Sequence, residues 1–273
     1  MWDLGEDTPE LPWNVFVGNS SLVILKLNGE FLLNSNISSN VSFSSPKILR
    51  LIDVTYANDA SIQKMLCYCL VLEELQICRS NWDNVRNVVI SVPSLKRLDI
   101  EFIIQEMDLY GGGEEDDDFD GANVEYKLFV DAPNLECLRM TDYMSDCIQV
   151  NYMPCVTESY LSVYKILEID HWTAEQKSNH TRNVYGIFRS IPNAKYLAVD
   201  SFTLESLVID EADFDRTLPI FDNLVHFELI GGFWIWKEWQ VYNGDTGGIC
   251  PICPKENVNP RNITLGKFYL CSH

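Results

Sequence analysis

The sequence predicts an α/β fold: a leucine-rich-repeat solenoid in which a curved parallel sheet gains one strand per repeat and the chain returns through helical or irregular segments. Three observations carry this. The phrase Leu-x-x-Leu-x-Leu, with other apolar residues allowed at the Leu positions, recurs between Leu22 and Leu229. Consecutive copies lie 23 residues apart from Leu72 to Leu95, 21 from Leu135 to Val156 and 20 from Leu204 to Leu224, within the range of about 20–29 for such repeats. In Leu75-Gln76-Ile77 the outer two side chains share a strand face. One strand cannot bury that face alone, whereas strands stacked in parallel bury it continuously.

Taken in order, residues 1–20 form an N-terminal cap segment and the repeats occupy 21–232. The first copy is Leu22, Leu25 and Leu27, followed by a weaker one, Leu49-x-Leu51. A helical return is predicted over Ala60–Cys69, because Ile62, Met65, Leu66 and Cys69 fall at helical spacing, with Asp59 placed to cap its start. Further copies are Leu72, Leu75 and Ile77; Leu95, Leu98 and Ile100; and Leu135, Leu138 and Met140. Then come Val156, Leu161 and Val163; Ala194, Leu197 and Val199; Leu204, Leu207 and Ile209; and Leu224, Phe227 and Leu229. The 40-residue step from Leu95 to Leu135 holds an acidic insertion at 111–121, expected to be disordered because Phe119 is its only large apolar residue. The 38-residue step from Val156 to Ala194 holds a degenerate repeat around Ile166-Leu167-Glu168-Ile169. Residues 233–273 form a C-terminal cap and tail, in which Phe233, Trp234, Trp236 and Trp239 close the open end of the core.

Composition narrows the function classes. Hydrophobic residues make up 47% and charged residues 22%, enough for a sizeable core. With 40 acidic and 20 basic residues the net charge is -20, so nucleic acid and anionic membranes are disfavoured as partners. No apolar run reaches the 18–20 or so residues that span a bilayer. The start, Met1 to Asp7, lacks the basic and apolar regions of a signal peptide. The nine cysteines are therefore expected to be reduced, in a cytoplasmic or nuclear protein. The sequons at Asn19, Asn36 and Asn179 carry no weight in that setting.

Candidate chemistry is sparse. Asp116, Asp118, Asp120 and Gly121 match half of a calcium loop, but the twelfth position is Lys127 instead of a bidentate Glu, so a solvated acidic run is the reading. Cys250, Cys253, Cys271 and His273 have the residue types of a zinc knuckle; a frayed tail is the competing reading, and no metal site is assigned. His171, His180 and His226 stand in no triad-like phrase, and there is no phosphate-binding or dinucleotide motif. No catalytic residue and no cofactor is expected.

Three phrases carry a family likeness. Cys69-Leu70-Val71-Leu72-Glu73-Glu74-Leu75, followed by Trp82 and Ser91-Val92-Pro93-Ser94-Leu95-Lys96-Arg97-Leu98, resembles the repeats of plant F-box/leucine-rich-repeat proteins, which often carry a C-terminal FBD region. Asp131 to Tyr143 and Leu218 to Leu229 are similar to later units. The resemblance implies a protein-binding module that selects substrates for a cullin–RING ubiquitin ligase, joined to it when an F-box binds the Skp adaptor. Residues 1–20 are shorter than an F-box, and the stretch after Gly232 departs from the FBD pattern. Skp binding is accordingly not expected of this stretch, and the alternative is a stand-alone scaffold or decoy.

On the strand face opposite the core lie Lys26, Glu74, Gln76, Arg97, Asp99, Arg139, Tyr196, Ala198, His226 and Glu228. Solenoids use that concave face for partners, and Arg and Tyr predominate at interface hot spots. Arg97, Arg139 and Tyr196 are the candidate partner-binding residues.

Overall fold

The computed structural model describes residues 9–11, 21–29, 31–34, 45–79, 84–103, 125–164, 172–207 and 218–230. Each predicted Leu-x-Leu segment but one is a strand of a single eight-stranded parallel sheet. Its members are β1 (Ile24–Asn28), β3 (Ile48–Ile52), β5 (Glu74–Arg79), β7 (Arg97–Phe102), β9 (Cys137–Asp142), β11 (Glu158–Val163), β12 (Tyr196–Asp200) and β13 (His226–Ile230), neighbours in that order. The register is unbroken. Leu25, Leu49, Leu75, Leu98, Leu138, Ser159, Leu197 and Phe227 form one inward ladder; Leu27, Leu51, Ile77, Ile100, Met140, Leu161, Val199 and Leu229 form the next. Leu25, Leu27, Leu75, Ile77, Leu98, Ile100, Leu138 and Met140, which the shared period predicts to be buried on one side of the sheet, all are. At the far end Leu229 is 56% exposed while Ile100 and Met140 are fully covered. Among the described residues this last rung has a strand neighbour on one side only.

Two local devices repeat with the strands. Val92-Pro93-Ser94-Leu95, Ala132-Pro133-Asn134-Leu135, Met153-Pro154-Cys155-Val156 and Ile191-Pro192-Asn193-Ala194 are tight turns. In each, the fourth amide donates to the first carbonyl at 3.0–3.3 Å. Proline presets the backbone at the second position of such turns. Asn134 and Asn193 each donate a side-chain bond of 2.9 Å to the proline carbonyl of the preceding turn. Just beyond the turn, one carbonyl accepts two amides of the next repeat. The Lys96 carbonyl takes Glu136 and Cys137 at 2.8 and 3.0 Å, and the Lys195 carbonyl takes Val225 and His226 at 2.8 and 2.9 Å.

The returns differ from expectation. Three are strands: β6 (Asn87–Ser91), β8 (Lys127–Asp131) and β10 (Cys147–Val150) make a second parallel sheet in the order β10-β8-β6. Val88, Ile90, Leu128, Val130 and Ile148 point into the shared core, because these short runs alternate apolar and polar residues with a period of two. Two further short strands, β2 (Leu32–Leu33) and β4 (Thr55–Tyr56), pair with each other. Lys127, the twelfth position of the supposed calcium loop, opens β8 and pairs with Glu125 at 2.9 Å.

Helix α1 (Asp59–Tyr68) is the predicted return, and it buries Ile62, Met65 and Leu66. Its N-cap, however, is Asn58. Asp59 instead accepts the amides of Arg86 and Asn87 at 2.7 and 3.1 Å and the Asn87 side chain at 2.7 Å, tying the helix to β6. Helix α2 (Ala174–Ser190) begins on a reciprocal pair of bonds between Thr173 and Gln176. The predicted repeat at Leu204 and Leu207 is no strand. Residues 201–205 form helix α3 (Ser201–Glu205), capped by the Asp200 carboxylate on the Thr203 amide. β12 pairs directly with β13, so the ladder has no place for another strand there. The acidic run at 111–121, Ile166–Ile169, Ile209, the aromatic cluster at 233–239, Cys250, Cys253, Cys271 and His273 lie outside the described residues.

Candidate protein-interaction face

Because inward and outward side chains alternate, the eight-stranded sheet turns three rows away from the core. The first reads Ile24, Ile48, Glu74, Arg97, Cys137, Glu158, Tyr196, His226; the second reads Lys26, Arg50, Gln76, Asp99, Arg139, Tyr160, Ala198, Glu228. In the third, Asn28, Ile52, Cys78, Glu101 and Thr141 lead to Ser162 and Asp200. Every rung is fixed by a parallel ladder, so the rows are rigidly positioned.

The face is mixed in charge and already internally paired. Arg139 lies against Glu158 at 3.6 Å with 18% of its side chain exposed. Arg97 reaches Glu74 only at 3.8 Å, with 62% exposed. The Tyr196 hydroxyl donates to Glu228 at 2.6 Å, and its ring stacks on His226 at 4.7 Å. Burial and then Glu228 raise its pKa, so it stays a neutral donor.

In the middle of the face Gln76 donates to Asp99 at 3.4 Å, and the Cys78 thiol donates to Glu101 at 3.3 Å. Burial pushes Glu101 up to about 6; the Cys78 bond opposes this and the charges of Asp99 and Asp53 add to it. Burial likewise raises Asp99, against the pull of Arg139 and Arg50. Burial and the Glu101 charge push the Cys78 thiol up, so it is no thiolate nucleophile. At the upper rim Ser162 donates to Asp200 and contacts the Tyr143 hydroxyl at 2.9 Å. Asp200 in turn caps α3, so this network fastens a helix.

The three residues singled out from sequence all lie on this face but do not converge. Arg97 and Tyr196 share the first row three rungs apart, about 14 Å at strand spacing, and Arg139 is in the second row. Ala198, also expected on the open face, has its place in the second row but is fully buried, since its methyl is too short to emerge beside Tyr160 and Glu228. Arg50, Tyr160, Glu158 and Glu101 went unnoticed. Register with the weak copies at Leu49 and Leu161 would have found the first two.

An F-box/FBD/LRR-repeat protein of Arabidopsis thaliana is 30% identical over 226 residues, 82% of this chain and 44% of its own length. Over most of its length the chain is similar to plant F-box/FBD/leucine-rich-repeat proteins. A putative F-box/LRR-repeat protein of the same plant is 28% identical over 228 residues, 80% of this chain and 39% of its own. An FBD-associated F-box protein is 39% identical over 161 residues, 58% of this chain and 34% of its own. The chain thus spans less than half the length of each of these relatives. No protein-family model and no solved structure matches it.

Proposed function

We propose that this F-box-type repeat module recognises a protein partner through the open face of the eight-stranded sheet, as the substrate-selecting part of an intracellular ubiquitin-ligase subunit. The observation that carries the reading is the face itself: three ordered rows of mixed charge, with Arg97 reaching out and, about 14 Å further along the same row, the aromatic pair Tyr196–His226. Rigid backbone with protruding Arg and Tyr is the usual anatomy of a hot-spot surface. α1 packs on β6 and β4 and α2 on β10, all outside the eight-stranded sheet, while α3 packs on β11 and β12 at the end of the third row, where Ser162 and Asp200 are buried. Six free cysteines among the described residues support a reducing compartment.

Photo-crosslinking tests it. A crosslinkable residue at position 97 should give a discrete protein adduct in plant extract, at least tenfold reduced when Arg139 and Tyr196 are alanine. Equal adducts from position 189, on the exposed side of α2, would refute an open-face site. Co-precipitation with purified Skp adaptor tests the ligase link.

A further inference from the structure

Helix α2 carries a residue that packing does not require. Gly186 lies inside the helix, where glycine costs about 1 kcal/mol against alanine. A Cβ built there meets nothing within 4 Å. Together with Gln176, Asn179 and Asn183 of the same helix, Gly186 lines a cleft of about 430 Å³ whose other wall includes Ile148, Gln149 and Val150 of β10.

β10 is the edge of the second sheet. The Cys147 and Asn151 amides bond the Tyr126 and Val130 carbonyls at 3.2 and 2.9 Å. Odd-numbered residues therefore face β8, and even-numbered ones face the free edge. On that edge Asn183 imitates a peptide group. Its Oδ1 accepts the Ile148 amide at 3.1 Å, and its Nδ2 donates to the Asp146 carbonyl at 2.9 Å. The next pair along, the Ile148 carbonyl and the Val150 amide, has no partner among the described residues. Gly186 stands three residues beyond Asn183, so it falls on the same helix face. The helix thus fills the place of a neighbouring strand at Asn183, and at Gly186 no described residue fills it.

We propose that this cleft binds a short extended segment of a partner protein, which adds a strand to β10. Its backbone N–H donates to the Ile148 carbonyl and its C=O accepts from the Val150 amide. One free donor and one free acceptor at ladder spacing are what a peptide backbone satisfies. The volume lies in the range of about 300–1,000 Å³ typical of binding clefts. The lining mixes the amides of Gln149, Gln176 and Asn179 with Glu125, Asp146, His180 and Arg182. This site is on the second sheet and does not rest on the open-face reading.

The test is titration of the isotope-labelled chain with N-acetyl-Val-Thr-Val-N-methylamide, read by amide resonances. The Val150 and Gly186 amides and the Asn183 side-chain amide should move saturably. Gly186→Leu, which fills the cleft, should abolish the response with no loss of melting temperature. Val150→Pro removes the donor at an edge position that tolerates proline, and should abolish the Gly186 response; should either variant unfold, the other carries the test. N-methylacetamide, a single amide, should bind at least tenfold more weakly. No saturable shift in the wild type, a shift that persists in the folded variants, or N-methylacetamide binding as tightly as the peptide overturns the proposal.

Discussion

Glu101 is a carboxylate kept in a place that disfavours its charge, and replacing it with glutamine should stabilise the protein at neutral pH. Its pKa stands at about 6 against an ordinary 4.5, with burial the largest cause and Asp99 and Asp53 behind it. Between these values the folded chain holds a proton that the unfolded chain has released, so stability falls as pH rises through the window. The gap corresponds to about 2 kcal/mol lost above pH 7 and nothing lost below about pH 4. A glutamine side chain has no charge to bury, and its carbonyl can still accept the Cys78 thiol. Urea unfolding of Glu101→Gln and the wild type at intervals from pH 4 to 8 measures the difference, in which the carboxylates remote from Glu101 cancel. The variant should match the wild type near pH 4 and exceed it by about 2 kcal/mol at pH 7. A difference that does not change with pH would refute the reasoning, as would a wild type that gains on the variant across the window.

Asn183→Leu orphans the Ile148 amide and the Asp146 carbonyl together, which should cost about 2–4 kcal/mol; amide exchange at Ile148 should quicken, and unchanged exchange would show that solvent already serves that edge. Ile100→Ala, in the centre of an inward ladder, should cost about 2–5 kcal/mol, whereas Leu229→Ala, on the same ladder but 56% exposed, should cost less than about 1 kcal/mol. Equal costs in thermal unfolding would mean that the last rung is as covered as the middle.

The inward ladders were legible because two periods coincide in them: the step between repeats and the alternation within a strand. Where a second element competed, periodicity misled. The returns were expected to be helical or irregular, yet Asn87-Val88-Val89-Ile90-Ser91 is an outer strand that runs straight into the turn at Val92-Pro93. The long step from Val156 to Ala194 was expected to hold a degenerate repeat around Ile166–Ile169, which lies outside the described residues, and most of the described part of that step is α2. Its reciprocal Thr173–Gln176 cap is a sequence-visible start. It was overlooked because Asn, Gly and Arg dilute the apolar stripe of the helix. At Leu204 the Leu-x-x-Leu phrase was satisfied by a helical turn, since spacing of three serves a helix as well as a repeat.

The face was legible and its pairings were not. Alternation says which residues turn outward, but it says nothing about which residue stands one strand away, because that depends on register between repeats of unequal length. Arg97 and Arg139 follow the same rule, yet one is 62% exposed and the other 18%. The cause lies across the strands. Arg139 has Tyr160 opposite it and Glu158 within reach, both from a weak copy of the repeat, while Arg97 has Cys137 opposite it and meets Glu74 at the edge of contact. Repeats that share a core phrase therefore differ in what they offer a partner through the neighbour on the next strand. Recognition on such a surface belongs to cross-strand pairs: a substitution at Glu158 should alter what Arg139 can bind as surely as a substitution at Arg139 itself.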